Sequence, residues 1–585
     1  MSARGCVRGL GCGLVAFALF LGVFYLLFIG WPVHGILSNG QRWAGPIPLT
    51  PPWALECWVW EDDVNTGPFV EELLAGFREH DIPARTILID SPWSTRYNDF
   101  IVDEERYPDP KAFFARLQDQ GYRVVLWMTS MVDSMSKDTA IRDSRDWYEE
   151  AKRKGYLAAN GQESSWWKGR GGFIDYTNPE AMKWWRGLQQ NVFDWGIDGW
   201  KLDGTAELFH YFWGPIPLPF GPAHAHWITQ RTYMDLYYRE EYRHGLTQNP
   251  EFITLARSID DQIPLVHIHG FAPRDAAPVT WVGDQDHAWE EEKEGIEEAL
   301  RDILKAARKG YGVIGSDIGG YSGGTIPKNL YIRWAQFSTF CGLFLDGGHG
   351  ERRLWLRSKE ELEIIRKCHW LHTELVPYMY SVLAAQHEGG PGLMRPLDVG
   401  QYEYLFGDAF LVVPIHRDAL VREVVLPPGQ WRYFHDDTKV IEGPATFTRE
   451  FPLEEFPVYI RDGAIIPMHI ERSYTGIGER DWAGALTLNL YPRGENTFRV
   501  YPTDRGAPFT VATAQTANTI NISLSQEAVP QAMIFRIFVD RRPAEIAADG
   551  RKLPEGVAWV YDEARSRVIL RAPKAAWANS FQITL

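Results

Sequence analysis

Between Trp53 and Glu388, short apolar runs alternate with helix-like stretches eight times over. The runs are "ALECWVW" ending at Trp60, "RTILID" at Asp90, "YRVVLWM" at Met128 and "IDGWKLD" at Asp203. They continue with "FITLAR" ending at Arg257, "APVTWVG" at Gly283, "GVIGSD" at Asp317 and "STFCGLFL" at Leu345. Amphipathic segments such as Pro68 to His80, Asp109 to Gln120 and "EEKEGIEEALRDILKAARKG" separate them. Strands that alternate with helices pair in parallel, and eight such units predict an α/β chain closed into a (β/α)8 TIM barrel. A doubly wound open sheet is the rival. It usually carries a glycine-rich phosphate loop after its first strand, and none is present here.

A chain of 585 residues is too long for one core. Past Gly389 the texture changes to short alternating runs, such as "REVVLPPGQWRYF", "FPVYIRDGAIIPM" and "QAMIFRIFVD", cut by Gly and Pro turns. These predict C-terminal all-β sandwich modules over 389–470 and 471–585. At the other end, Gly9 to Trp31 contains no charged residue. That length predicts a transmembrane signal anchor over 9–31, since no small-residue cleavage site follows it. Arg4 and Arg8 precede it, so residues 1–8 are expected on the cytoplasmic side and the rest outside, as in a single-pass membrane protein. A Pro/Gly-rich linker over 32–52 would join the anchor to a barrel spanning 53–388.

The net charge of −16 argues against nucleic acid and against a basic membrane-binding face. Five cysteines are no disulfide scaffold; Cys6 and Cys12 lie in the N-terminal segment, and Cys57, Cys341 and Cys368 leave room for one bridge. The 25 tryptophans suit either a core or a cleft that stacks flat sugar rings.

Barrel enzymes build their sites at the C-terminal ends of the strands. The acids expected there are Asp90, Asp203, Asp284 and Asp317. Several carboxylates in one mouth suit a divalent metal or glycoside hydrolysis, in which one acid attacks the anomeric carbon and another protonates the leaving oxygen. Trp167, Trp200, Trp281, Trp289 and Tyr321 would offer stacking surfaces. The bland reading of each acid is a strand-end group bonding loop amides. The pairs His224/His226 and His267/His269 invite a metal-dependent hydrolase. In such barrels the pair ends the first strand, whereas both pairs here follow the fourth.

At this point the residues resemble a known family. "WGIDGWKLD" resembles the nucleophile segment of glycoside hydrolase family 31, and "TWVGDQDHAW" its acid/base segment. "FIDYTNPEAMKWW", "LARS", "GSDIGGY", "LYIRWAQF", "PGLMRPL", "YLFGDAFLVVP" and "VVLPPGQW" follow in family order, so the resemblance runs from Trp53 to Met468. It implies a retaining α-glycosidase that needs no metal or other cofactor. Asp203 would be the nucleophile and Asp284 the acid/base, with Asp286 two residues away and with Asp284 holding its proton to higher pH than Asp203. The implied substrate-binding set is Asp90, Trp167, Lys201, Arg257, Trp281, Tyr321 and His349.

The chain departs from the family pattern in three places. Gly347 stands where many members carry arginine, two residues before His349. Lys201, which strand alternation puts on the same face as Asp203, stands where the α-glucosidase branch tends to have Trp and the α-xylosidase-like and some α-galactosidase-like branches have Lys. The large β-sandwich usual before the barrel is replaced by the expected anchor and linker, which predicts a more open rim or one completed by another subunit, including a second copy of the chain. Arg96 and Lys201 leave an anionic sugar open beside glucose, xylose and galactose. A non-catalytic carbohydrate-binding or chaperone-like membrane protein on the same barrel is the alternative of a different class.

Overall fold

The structure, a computed structural model, describes residues 15–23, 47–204, 221–224, 227–228, 230–259, 272–478, 485–525, 532–574 and 578–585. Eight parallel strands form the predicted barrel: β1 (Trp58–Val59), β2 (Thr86–Ile89), β3 (Arg123–Met128), β4 (Gly199–Leu202), β5 (Ile253–Arg257), β6 (Val279–Trp281), β7 (Ile314–Gly315) and β8 (Leu345–Asp346). Each pairs with its chain neighbour, β8 pairs with β1, and a parallel bridge between Asp317 and Leu345 links β7 to β8. β2 and β5 are buried along their whole length, as expected when helices cover one face and the barrel interior the other.

The covering helices start where local chemistry starts them. Asn178 caps Pro179–Phe193 by accepting from the N–H groups of Glu180 and Ala181, with Pro179 at the first turn. Ser358 and Glu361 form a capping box at Lys359–Glu374. In Ile296–Arg308, Ile296, Leu300, Ile303 and Leu304 are buried on one face, with acids in the first turn and bases in the last. Between β3 and Pro179 the chain inserts a three-stranded antiparallel sheet, Met131–Ser136, Ser164–Trp166 and Gly169–Phe173, over the barrel rim.

The C-terminal part is all β, as predicted. One six-stranded sheet, containing the long hairpin Val421–Tyr433 and Asp436–Glu450, packs Phe406, Phe410 and Val458 into the same core as the barrel. Arg333 ties the two together, donating from the barrel helix Lys328–Ser338 to the carbonyls of Phe451 and Glu455 at 2.6 Å each. A five-stranded and a six-stranded sheet then close on a second core around Leu488, Phe535, Val511 and Ile583.

The N-terminal expectations fare differently. Of the predicted span 9–31 only residues 15–23 are described; they are helical. No described helix is long and apolar enough to cross a membrane. Nine residues rise roughly 14 Å as a helix, short of the ~30 Å hydrocarbon core. Residues 1–14 and 24–46 lie outside the described ones. The end of the predicted linker belongs with the barrel: Ile47 and Thr50 are buried, and Thr50 Oγ1 donates to the Pro278 carbonyl at 2.6 Å. Cys57, Cys341 and Cys368 are buried free thiols.

At the barrel mouth the first residues past β1 and β8 meet. Trp60 N–H donates to the Asp346 carbonyl at 3.1 Å, and its indole lies where a side chain on Gly347 would be. A Cβ on Gly347 would come within 1.7 Å of Trp60 Cδ1. Gly347→Ala is therefore expected to destabilise the protein by about 1–3 kcal/mol through overpacking, read as a lowered thermal midpoint. In a Trp60→Leu background the same methyl should cost little; equal costs in both backgrounds would show that Trp60 is not what excludes it.

Candidate active site

The C-terminal ends of the strands place a dense polar cluster in the mouth. Asp90 follows β2, Asp203 follows β4, Arg257 ends β5, Asp284 lies three residues beyond β6, and Asp317 two beyond β7. Parallel register sets Lys201 of β4 beside Trp127 of β3 and Leu255 of β5, and Arg257 beside Trp281.

Asp203 accepts four hydrogen bonds. Arg257 donates to Oδ1 from Nε at 3.2 Å and from Nη2 at 3.1 Å, the Gly204 N–H reaches Oδ1 at 2.7 Å, and Trp127 Nε1–H reaches Oδ2 at 2.9 Å. Burial by itself would raise the pKa of Asp203. Arg257, Lys201 and these N–H donors outweigh it and hold the carboxyl below the usual aspartate range. The same Arg257 Nη2 donates to Asp284 Oδ2 at 3.0 Å. The Asp284 side chain is 35% exposed against 11% for Asp203. Asp286 is differently engaged: its Oδ1 accepts from Ser322 Oγ at 3.0 Å, within a ladder in which His287 N–H donates to the Ser322 carbonyl and Tyr321 N–H to that of Gln285.

Lys201 is buried and donates to Asp90 Oδ2 at 2.7 Å, with its ammonium 4.2 Å from the Trp60 ring centre and 5.4 Å from that of Trp281. Burial would lower its pKa, but Asp90, Asp203, Asp284 and Asp317 together raise it, so it is charged. Asp90 Oδ1 also accepts from the Ser91 N–H at 2.7 Å. The Arg257 guanidinium stacks on the other part of this wall, 4.9 Å from the Trp281 ring centre.

On the far side, Tyr321 stacks on Trp60 and donates to Asp62 Oδ2 at 2.7 Å. His349 packs on Tyr321 with ring centres 4.8 Å apart, its Nδ1 2.6 Å from Asp63 Oδ1 and its Nε2 3.3 Å from Asp62 Oδ2. Burial, with Asp90 nearby, pushes the Asp62 carboxyl up to about 6. Buried Arg352 fixes this rim by donating to the carbonyls of Ile318, Gly320 and His349. Trp167 is half-buried at the turn of the inserted sheet, edge-on to Trp166 at 5.0 Å.

The structure thus brings Asp90, Lys201, Asp203, Arg257, Trp281 and Asp284 into direct contact, with Tyr321 and His349 joined to them through Trp60. It adds residues that the sequence reading passed over. Trp127 sits inside an apolar strand run and reads as core. Asp62 and Asp63 belong to an acidic turn. Asp317, at its expected strand end, lies outside the implied binding set; among the described residues neither of its buried oxygens has a hydrogen-bond partner, and burial pushes its pKa up to about 8. Arg96 does not face this cluster: it pairs with Asp99 at 3.2 Å and stacks over Trp147. Of the histidine pairs, His224 is exposed and its N–H donates to Asp175, while His226, His267 and His269 lie outside the described residues. Among the described residues no His, Cys, Asp and Glu cluster has the form of a metal site.

Comparison with known proteins identifies the family of the fold. The model of the glycosyl hydrolases family 31 TIM-barrel domain matches residues 47–382, and that of the family's C-terminal domain residues 394–466. An α-xylosidase of Emericella nidulans is 26% identical over 76% of this chain and 57% of its own length. The neutral alpha-glucosidase AB of Homo sapiens is 26% identical over 96% of this chain and 61% of its own. The chain thus spans about three-fifths of these relatives. The solved structure of a Flavobacterium johnsoniae family 31 dextranase complexed with isomaltotriose superposes with a TM-score of 0.78, at 21% identity, covering 92% of this chain and 72% of that one. The chain belongs to glycoside hydrolase family 31.

Proposed function

We propose that the protein hydrolyses terminal α-linked sugars with retention, through a covalent glycosyl ester on Asp203. The observation that carries this reading is the shared Arg257 Nη2. Asp203 Oδ1 lies 3.1 Å and Asp284 Oδ2 3.0 Å from that one nitrogen, which bounds the distance between the two oxygens at their sum, about 6.1 Å. Retaining pairs stand about 5–5.5 Å apart and inverting pairs about 6.5–9.5 Å.

The roles follow from environment. Asp203, held ionised by Arg257 and Lys201, attacks the anomeric carbon as the glycosidic C–O bond breaks, and Asp284 gives its proton to the leaving oxygen. Water then attacks the same carbon from the side the leaving group vacated. Asp284 takes the water's proton, and the ester bond breaks to restore the Asp203 carboxylate. Asp284 is the more exposed of the two acids, which suits a group that exchanges protons with leaving group and water. Asp90, Lys201, Arg257, Trp281, Tyr321 and His349 bind the sugar, with Trp167 on the rim. Asp317, a neutral acid at pH 7, adds a hydrogen-bond donor.

The glycone is uncharged in this reading. Lys201 faces Asp90 and Arg257 faces Asp203 and Asp284, while Asp62 and Asp63 add further carboxyls. Each cation is committed to a carboxylate, so a uronate or sulfonate would meet net negative charge. Xylose and glucose, the sugars in the names of the relatives, fit this condition. The uncharged run from Gly9 to Trp31 and the arginines before it support an uncleaved anchor with the barrel on the extracytoplasmic side.

Three outcomes are expected. A panel of 4-nitrophenyl α-glycosides should show turnover of an α-xyloside or α-glucoside and none of an α-glucuronide; the reverse would overturn the uncharged-glycone reading. Asp203→Ala should abolish that turnover, and Asp284→Ala should lower it by about 10²–10⁴-fold. Finally, Asp203 loses its charge as pH falls through its lowered pKa, so the acid limb of kcat/KM should lie below the usual aspartate value of ~3.9. Arg257→Met removes the main opposing charge, raises that pKa and should move the acid limb to higher pH. An unmoved limb would mean that another group sets it.

A further inference from the structure

The Trp127 N–H that meets Asp203 is itself held from behind by groups that touch neither acid. Trp166 ends the inserted strand Ser164–Trp166, and its ring lies parallel to that of Trp127, with centres 6.4 Å apart and planes 12° apart. Tyr97 packs edge-on against both, 5.6 Å from Trp127 and 5.2 Å from Trp166. Trp166 Nε1–H donates to Asp133 Oδ1 at 2.9 Å. Asp133, on the strand Met131–Ser136 at the opposite edge of the same sheet, is completely buried, and its Oδ2 has no hydrogen-bond partner among the described residues. Burial raises its pKa well above the usual value. The carboxyl fits only because Gly169 and Gly171 stand opposite: a Cβ on either would come within 2.8 Å of an Asp133 oxygen. A buried acid is costly unless bonded, and the one side-chain bond this one makes fixes the indole behind Trp127.

The two oxygens of Asp203 are unequally loaded. Oδ1 accepts from Arg257 twice and from Gly204, whereas Oδ2 accepts only from Trp127 among the described residues. Oδ2 is the oxygen with a lone pair to give.

We propose that Asp133 and Trp166 are positioning residues for the nucleophile, holding the Trp127 N–H on Asp203 Oδ2, the atom that bonds to the anomeric carbon. This rests on the reading of Asp203 as nucleophile. In the first step the Oδ2–C1 bond forms, the bond from C1 to the leaving oxygen breaks, and the Asp284 proton goes to that oxygen. In the second, water oxygen bonds to C1 and its proton goes to Asp284. The C1–Oδ2 bond breaks and its electron pair returns to Oδ2, where the Trp127 N–H meets the recovering charge. A hydrogen bond to a carboxylate is stronger than one to an ester oxygen. Loosening Trp127 therefore slows the second step more than the first.

The test uses the full chain and whichever 4-nitrophenyl α-glycoside it turns over. Trp166→Phe keeps the stacked ring but loses the bond to Asp133, and Asp133→Leu loses the acceptor. Both should lower kcat about tenfold, with KM falling in parallel, kcat/KM nearly unchanged and a burst of nitrophenolate stoichiometric with protein. Asp133→Asn keeps an acceptor for the Trp166 N–H and should behave as native. A fall in kcat/KM with KM unchanged and no burst would reduce Asp133 and Trp166 to structural support and overturn the proposal. Labelling the native protein with a 5-fluoro-α-glycosyl fluoride separates the two levels. A label on the peptide carrying Asp203 alongside burst-free variants sinks only the positioning role. A label on a different acid overturns the nucleophile assignment and this proposal together.

Discussion

Two buried cations hold the mouth of this barrel together. Asp90, Asp203, Asp284 and Asp317 all lie close enough to Lys201 to raise its pKa. Left alone, buried carboxylates repel one another and take up protons. Lys201 and Arg257 divide them instead into paired and unpaired groups. Asp203, bonded by Arg257, Trp127 and Gly204, stays ionised, whereas Asp317, with no bonded partner among the described residues, is pushed up to about 8. The aromatic floor belongs to the same device, since Trp60 and Trp281 cover Lys201 and Trp281 also lies under Arg257.

How much of this was legible in the sequence depended on contrast. A lysine and an aspartate closing an apolar run, as in "GWKLD", stand out because a parallel strand buried on both faces has no other use for them. Lys201, Asp203 and Asp90 stand out that way, whereas Arg257 comes only from the family resemblance of "LARS". Trp127 carries no contrast: "VVLWM" is a core strand in every residue, and only the fold shows that one indole N–H reaches a carboxylate. The apolar runs also overstate the strands. In "ALECWVW", Ala54 and Leu55 lie in a 3-10 turn and only Trp58 and Val59 enter the ladder. They are buried under the barrel all the same, and a run of apolar residues reports burial rather than pairing.

Position 347 makes a related point about departures from a family pattern. From the sequence, Gly347 registers as a missing arginine. In the fold it is the space that Trp60 occupies, and Trp60 in turn covers the Lys201 ammonium and backs Tyr321. A side chain at position 347 and the Trp60 ring would compete for the same space. The Trp60 ring fills that space without adding charge, and Lys201 and Arg257 are the cations bonded to Asp90, Asp203 and Asp284.

That charge balance also explains why the protonated acids matter. An uncharged sugar presents hydroxyls that both donate and accept, and a wall of ionised carboxylates could only accept from it. Asp317 below about pH 8 carries a proton with no hydrogen-bond partner among the described residues, and Asp62 gains one below about pH 6. A neutral carboxyl beside an ionised one gives the pocket both senses of hydrogen bond without adding charge. Burial of Asp317 without a bond is thus consistent with a group whose partner arrives with the substrate.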